Sequence, residues 1–468
     1  MKASRLLPAS VNSQSCCKYL LLLFILLSHN CFSQTPPKKS LSAIDEIFDL
    51  ADKGNADAMF VLASMYIKGD VVQKDTAEAI KWLQKSANAG NTKAMNNLAV
   101  LTYKNQNTGL DSTQTFLWLL SAAKLGNTKA MLNVGNDYMR GRDVKKDTIE
   151  ALKWITKAAE SDDADGMLVL AGIYFTGRGA DKDSAQGLKW LIKSAEKNNY
   201  KGMYVLATFY DNGKGVDKDS VKSLYWYTKA ADAGEPDAQN NLGVKYLKGR
   251  WVKRNYETAM KLFTKSAAAG NSHAMYNIGS MHEFGKGVPQ DYAEALKWYL
   301  QSAAKNNSSG TYRVAVFYEY GKGVKQDYTE AMNWYKLITG PRDGYIMYHI
   351  GKLYEEGKGV PKNNNEATFW YRRSTDADNG FGMYGLGHLH ESLNEKAQAD
   401  LWYHLAMEWF KKEIIRSLDN TECMRGLASM YETGRGTEKN IQLALQYYKQ
   451  AAELGDEDAK VKVRELEK

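Results

Sequence analysis

The chain has 468 residues, 44% hydrophobic and 25% charged, a composition that excludes a disordered polymer and a multi-spanning membrane protein. Its 62 basic and 54 acidic residues give a formal net charge of +8, and three of the basic ones (Lys2, Arg5, Lys18) lie in the first 33 residues, which hold no acid. The excess left over is too diffuse for a nucleic-acid binder, which gathers its basic side chains into patches.

Residues 1–33 have the layout of a secretory signal. A basic stretch precedes the apolar run Leu20–Leu27, and the small residues of Cys31-Phe32-Ser33 favour cleavage after Ser33. The run is shorter than the ~20 residues a spanning helix needs. An uncleaved anchor and a lipoprotein held through Cys31 are the alternatives, although Ser28-His29-Asn30 is a poor approach to a lipidated cysteine. The expectation is an exported chain, periplasmic or extracellular, beginning at Gln34 and without stable membrane insertion once the signal is removed. Residues 34–40, with Pro36 and Pro37, read as a short extended linker. Of the 4 cysteines, Cys16, Cys17 and Cys31 leave with the signal, so Cys423 stands alone and stability must come from packing.

From residue 41 onward the chain repeats. Tryptophan recurs at Trp82, Trp118, Trp154, Trp190 and Trp226 with a step of 36 residues, Leu262 fills the next slot, and Trp298, Trp334 and Trp370 resume in phase. A second column is small: Ala63, Ala99, Gly135, Ala171, Ala207, Gly243, Gly279, Ala315, Gly351, Gly387. A third is aromatic: Tyr66, Tyr138, Tyr174, Tyr210, Tyr246, Tyr318, Tyr354. Three columns in one register predict a repeat array.

Each repeat reads as two helices. In the first, Met59, Leu62, Ala63 and Tyr66 share one helical face. Gly-x-Gly pairs such as Gly177/Gly179, Gly321/Gly323 and Gly357/Gly359 then close it, since a helix end of this kind wants positive φ. A column of Asp75, Asp111, Asp147, Asp183, Asp219, Asn255, Asp291, Asp327 and Asn363 predicts the N-cap of the second helix. Glu78, Glu150, Glu294 and Glu330, three residues on, predict capping boxes. The second helix carries the tryptophan and an alanine column (Ala87, Ala123, Ala159, Ala195, Ala231, Ala267, Ala303). It ends at Gly90, Gly126, Gly234 or Gly270, or at Asp162, Asn198 or Asn306, residues that tolerate the left-handed conformation.

A small residue before tyrosine, then Gly-x-Gly-Val, a capping Asp, and Ala-x-x-Trp-Tyr-x-x-Ala-Ala is a pattern that resembles the Sel-one-like repeat family. Gly357-Lys-Gly359-Val360 and Ala295-Leu-Lys-Trp298-Tyr299 through Ala303-Ala304 match it closely. The resemblance spans residues 41–468 and implies a tetratricopeptide-like, all-α, right-handed superhelical solenoid of about eleven repeats of 36 residues. Each repeat is expected to bury its tryptophan and small columns against the next. Residues 41–54 read as the second helix of an incomplete first repeat, the solenoid runs over 41–455, and residues 456–468 read as a C-terminal capping helix. The pattern departs at Asn105-Gln-Asn107, where paired glycines belong, and between Trp370 and Trp402, which stand only 32 residues apart. There Glu395–Ser417, carrying Trp409, reads as one lengthened helix.

No constellation singles out chemistry, and neither enzyme activity nor a cofactor or metal is expected. His388 and His390 stand two apart on a helix and point to different faces, unlike a chelating i, i+4 pair. His390 and His282 occupy the tyrosine column and read as packing substitutes. The Gly-Lys-Gly turns follow helices rather than strands, so they are turns and not phosphate loops. Some members of the resembled family bind or slowly hydrolyse β-lactams, but those are cysteine-rich and this chain is not, so that activity does not carry over.

A binding face is the better candidate. By resemblance the first helices line the concave side, where one column holds Asn97, Asn133, Asn241, Asn277, Arg313 and His349. Asparagine amides donate and accept together, which suits holding an extended peptide backbone; solvation, or bonding within their own array, is the alternative. Tyr276, Tyr312, Tyr348 and Tyr384 stand one position before this column in four consecutive repeats, suited either to contact with a ligand or to packing between repeats. The expectation is an exported, non-catalytic scaffold holding protein or peptide partners. A glycan-binding module using the tyrosines, or a cell-wall or β-lactam-directed hydrolase, are the alternatives.

Overall fold

A computed structural model describes residues 38–104, 111–338, 343–417 and 420–468. The expected signal, most of the linker and Asn105-Gln-Asn107 lie outside them. The first described helix begins at Lys38, inside the stretch read as extended, and runs to Asp52. Every element among the described residues is a helix, and none of them is long and apolar enough to cross a membrane. Two compact units divide the chain, one ending at Gly202 and one starting at Met203. They are called here the N-terminal and C-terminal lobes, and repeats are numbered from Ala56.

The turns and the N-caps read from the sequence are present. In repeat 1 a helix over Ala56–Lys68 ends at Gly69 with φ 76°, and its partner Thr76–Asn88 starts from Asp75, whose carboxylate accepts from the Glu78 amide at 3.0 Å. The equivalent caps at Asp147, Asp183, Asp219, Asp291 and Asp327 are each made at 2.9 Å. Asp162, Asn198 and Asn306 take the left-handed conformation, with φ 67°, 61° and 59°. Glu395–Ser417 contains one long helix, Lys396–Arg416. The chain closes on the helix Glu457–Leu466.

The capping boxes are only half made. The amide that the glutamate should bind is already taken: Asp75, Asp147 and Asp327 donate to the carbonyls of Tyr66, Tyr138 and Tyr318 at 3.1, 3.0 and 2.9 Å. Glu78, Glu150 and Glu294 pair instead with the lysine three residues on, and Glu330 accepts from the Trp334 indole at 2.9 Å. So the tyrosine column acts partly through its backbone, tying the end of one helix to the start of the next.

The core column is also one residue away from the expected one. Only Trp82 among the periodic tryptophans is buried. Trp154, Trp190 and Trp370 are half-buried, each roofed by a cation three residues on, with Lys193 4.5 Å from the Trp190 ring. The residue after each tryptophan is the one sealed from water: Leu83, Leu119, Ile155 and Leu191, then Tyr227, Phe263, Tyr299, Tyr335, Tyr371, Tyr403 and Tyr448, all at most 2% exposed. The small column packs on it from the partner helix of the same repeat. A Cβ on Gly243 would lie 2.6 Å from the Phe263 ring, and one on Gly351 would lie 2.7 Å from Tyr371. Burial of a ring there leaves no room for a side chain opposite, so glycine faces the aromatic core residue in these repeats.

Buried serines tie the two helices of a repeat together, and first-helix caps join successive repeats. Ser86, Ser194, Ser266 and Ser374 donate to carbonyls 30 residues earlier at 2.6 Å. Asn91, Asn199 and Asn271 cap their own helices and also donate to Asp57, Asp165 and Asp237. Cys423 is buried, and burial pushes its thiol up to about 12, so it stays protonated.

Candidate functional site

In the N-terminal lobe the first helices of repeats 1 to 3 leave an open groove of ≈ 560 Å³ lined by Phe60, Lys93, Asn96, Asn97, Asn127 and Lys129. The helix Thr92–Lys104 presents Lys93, Asn96 and Asn97 along one side. Asn133 donates to Asn96 at 2.7 Å, so that amide of the predicted column is spent inside the array. The Asn97 side chain has no hydrogen-bond partner among the described residues and is half-buried at the groove wall. Lys129 is tied across to Asp163 and Asp165 of the next repeat.

In the C-terminal lobe the predicted residues are drawn inward, because a column of acids absent from the first repeats runs beside them. Asp211, Glu283, Glu319, Glu355, Glu391 and Glu432 line up along the first helices, and the core tyrosine of each repeat donates to the acid. Tyr299 reaches Glu283 at 2.7 Å, and Tyr335 and Tyr371 reach Glu319 and Glu355 at 2.6 Å. A basic side chain from a later repeat completes each set. Lys245 meets Asp211 at 2.5 Å, His349 Nδ1 lies 2.8 Å from Glu319, and Lys462 meets Glu432 at 3.1 Å. Arg313 grips both oxygens of Glu283.

Arg313 and His349 are therefore part of the joints between repeats, not a free patch. Glu283 and Glu319 are 2% and 3% exposed, and a buried carboxylate holds a cation far more firmly than water would allow. Burial alone would raise the Glu319 carboxyl, but His349, Lys352 and the Tyr335 hydroxyl outweigh it and bring it down to about 2. The acid column was legible at Glu283, Glu319, Glu355 and Glu391, which keep the repeat's step.

The tyrosines are packing residues as well. Tyr276, Tyr312, Tyr348 and Tyr384 lie half-buried against the core tyrosines Tyr299, Tyr335, Tyr371 and Tyr403, with ring centroids 5.6, 6.2, 5.9 and 5.5 Å apart. A ring seated on another ring cannot also stack on a sugar with that face. Asn277 donates to Asn240 at 2.8 Å and Asn241 accepts from Asn240 at 3.2 Å, repeating the array seen at Asn133. His388 and His390 go to separate acids, Glu355 and Glu395. His282 sits in the tyrosine column with a buried Nδ1 that has no partner. Among the described residues no group of three or more His, Cys, Asp or Glu could hold a metal ion.

The same inner wall closes on a cavity of ≈ 90 Å³. Tyr312 and Arg313 from repeat 8 and Tyr345 and His349 from repeat 9 line one side. Glu422 and Arg425 from repeat 11 and Asp458 from the final helix line the other. The groove expected here is thus covered by the chain's own last repeat.

Eleven Sel1 repeats are recognised, at residues 56–91, 92–127, 128–163, 164–199, 201–235, 236–271, 272–307, 308–338, 346–379, 381–412 and 421–456. Among solved structures the chain is similar to a protective antigen of uropathogenic Escherichia coli strains displaying an SLR fold, at 27% identity over 90% of each chain with a TM-score of 0.60. It is also similar to a Sel1 repeat protein from Oxalobacter formigenes, at 24% identity over 80% of this chain and 99% of that one, with a TM-score of 0.48. No curated protein matches it. Sel1 repeats generally mediate protein–protein interaction, on scaffolds that are generally non-catalytic.

Proposed function

The chain belongs to the Sel1 repeat family, and from that premise we propose that it is an exported, non-catalytic scaffold whose repeats 1 to 3 hold an extended segment of a partner protein. The observation that carries this reading is the open groove beside Asn97. It offers an amide that can both donate and accept, the Lys93 ammonium, and the apolar Phe60 ring within one span. An extended backbone needs just such alternating donors and acceptors, with an apolar surface for every second side chain. The C-terminal column lends the groove no support, since its polar groups are already paired within the chain. Export rests on the layout of residues 1–33, and places the partner in the periplasm or outside the cell.

A photo-crosslinking side chain placed at Asn97, and separately at Lys153 on the exposed face of a second helix, tests the site in cells. The expected outcome is a discrete protein adduct from position 97 and none from 153. With that partner in hand, Lys93→Ala together with Asn97→Ala should weaken its binding at least ~10-fold while melting stays within a degree or two. Equal adducts from both positions, or undiminished binding, would remove the groove from the proposal. Fractionation with mass analysis of the N-terminus tests export, with Gln34 as the expected first residue.

A further inference from the structure

The positive charge that averages thinly over the chain gathers in one repeat. Repeat 6, residues 236–271, carries seven basic side chains against Asp237 and Glu257, whereas no other repeat has an excess above two. Four of the seven fall in one loop, Lys248-Gly249-Arg250-Trp251-Val252-Lys253-Arg254. The ends of that loop are pinned together. The Asn255 amide donates to the Tyr246 carbonyl at 3.0 Å, and a Cβ on Gly249 would stand 3.2 Å from the Arg254 Cβ. A closed loop of this length keeps its cations within roughly one Debye length, about 8–10 Å, so their fields add.

Little within the chain answers them. Lys248, Arg250, Lys253 and Arg254 are all exposed. Lys253 and Arg254 have no acid within ion-pair reach among the described residues, and Arg254 reaches the Tyr256 hydroxyl at 3.4 Å. Arg250 lies 3.9 Å from Asp211, but that carboxylate already holds the buried Lys245 at 2.5 Å. Burial, with Arg250 and Lys218 close by as like charges, brings the Lys245 ammonium below its ordinary value in spite of Asp211.

The backbone of the loop is strained at its centre. Trp251 has φ 69°, in the slot that Gly215, Gly287, Gly323 and Gly359 fill in other repeats, a conformation that bulky L-residues rarely adopt. Its indole is bracketed by cations, with Lys245 Nζ 4.0 Å and the Arg250 guanidinium 4.8 Å from the ring centroid. Outliers of this kind gather at binding sites, where the strain is part of how a group is placed. Here the strain sets an aromatic face against Arg250, whose side chain remains 52% exposed.

The neighbouring loops say how wide the partner is. The places of Lys253 and Arg254 are taken by Asp217 and Lys218 in repeat 5, and by Pro289 and Gln290 in repeat 7. The positive front is one repeat wide, which suits a short run of carboxylates and not the broad phosphate front of a membrane or a nucleic-acid strand. Trp251 and Val252 are half-buried, so the loop offers no apolar wedge to a bilayer. Arginine's planar fork grips a carboxylate with two bonds at once.

We propose that loop 248–254 of repeat 6 is a docking surface for an acidic segment of a partner polypeptide, with Arg250, Lys253 and Arg254 meeting its carboxylates and Trp251 positioning Arg250. The loop is a different site from the groove of repeats 1 to 3, and neither reading depends on the other.

The test is a fluorescence-anisotropy titration of the full mature chain with a labelled peptide carrying four consecutive Asp and Glu residues. The other probes are the same peptide with Asn and Gln in their place, a single-stranded oligonucleotide, and vesicles of phosphatidylcholine with phosphatidylglycerol. The expected result is saturable binding of the acidic peptide, fading as salt rises and weakened at least ~10-fold by Lys253→Gln with Arg254→Gln at unchanged melting. Removing the same charge from the following helix, by Lys261→Gln with Lys265→Gln, should change the affinity by less than ~2-fold. Trp251→Gly, which relieves the backbone strain, should weaken binding by ~3-fold or more without lowering the melting temperature. Equal losses from the loop pair and the helix pair would mean that net charge alone draws the peptide, and would overturn the proposal. So would an equal affinity for the Asn and Gln peptide, or no saturable binding of the acidic one. Tighter binding of the oligonucleotide or the vesicles, lost with the loop pair, would also overturn it and assign the loop to phosphates.

Discussion

Asp137 is 3% exposed and accepts from the Tyr103 hydroxyl at 2.7 Å. Burial pushes its carboxyl up to about 6 from the usual 3.8, more than Tyr103 and Arg142 pull it back. The folded state therefore holds the proton more tightly than the unfolded one. This group's contribution to stability is complete below about pH 4 and is lost as pH rises through 6, by roughly 2–3 kcal/mol. Glu319 runs the other way: held at about 2 against the usual 4.5, it stabilises above pH 4.5 and that contribution fades as pH falls toward 2. Amide protection relative to the intrinsic exchange rate should fall in repeats 2 and 3 between pH 4 and 7, and Asp137→Asn should flatten that slope. Protection relative to the intrinsic rate should fall in repeats 8 and 9 as pH drops from 4.5 to 3, and Glu319→Gln should abolish the change. An unaltered slope in either variant would show that the titration belongs to another group. Neither acid stands out by residue type alone, because burial moves Asp137 and the partners packed on it move Glu319.

Within one repeat, the helix pair divides its work between adjacent residues that look interchangeable in the chain. Leu191 is fully buried while Trp190 lies half-exposed beneath Lys193. Leu191→Ala should cost about 2–4 kcal/mol by transfer and cavity terms. Trp190→Ala should cost less than a sealed core ring does, since one face of the indole already meets solvent and a cation. Thermal or urea melts of the two variants give the ranking, and a larger loss for Trp190 would place the core on the wrong side of the helix. Glycines divide in the same way. Gly323 has φ 67°, and a Cβ there would stand 2.4 Å from the backbone of Tyr292, whereas Gly126 at φ 92° has nothing within 4 Å. Gly323→Ala should thus destabilise by more than 2 kcal/mol, and Gly126→Ala by about 1, the conformational strain alone. The turn and cap columns were legible because each answers a purely local need. The choice between tryptophan and its neighbour was not, since both are apolar and only the direction of the partner helix separates them.

At the scale of the molecule, stability is built from joints between successive repeats, and a defect should stay local. Phe263→Ala empties the core of repeat 6, where Gly243 and Met275 pack. Hydrogen exchange should rise in repeats 5 to 7 by several orders of magnitude, while repeats 1 and 2 remain as protected as in the parent chain. Uniform loss of protection would mean that the array unfolds as one body.

Repetition at a constant step made the helices, their caps, their turns and the family readable from the sequence alone, because each of those features depends on residues within about one repeat of one another. Contacts such as Ser86 to Ala56 or His349 to Glu319 fall 30 residues apart and recur, so they leave a periodic trace. The cavity does not. Tyr312 and Arg425 come together across more than 100 residues, through many small rotations from repeat to repeat that no single position encodes. That accumulated geometry set the last repeat over the wall where Arg313 and His349, already drawn inward by the acid column, were expected to bind.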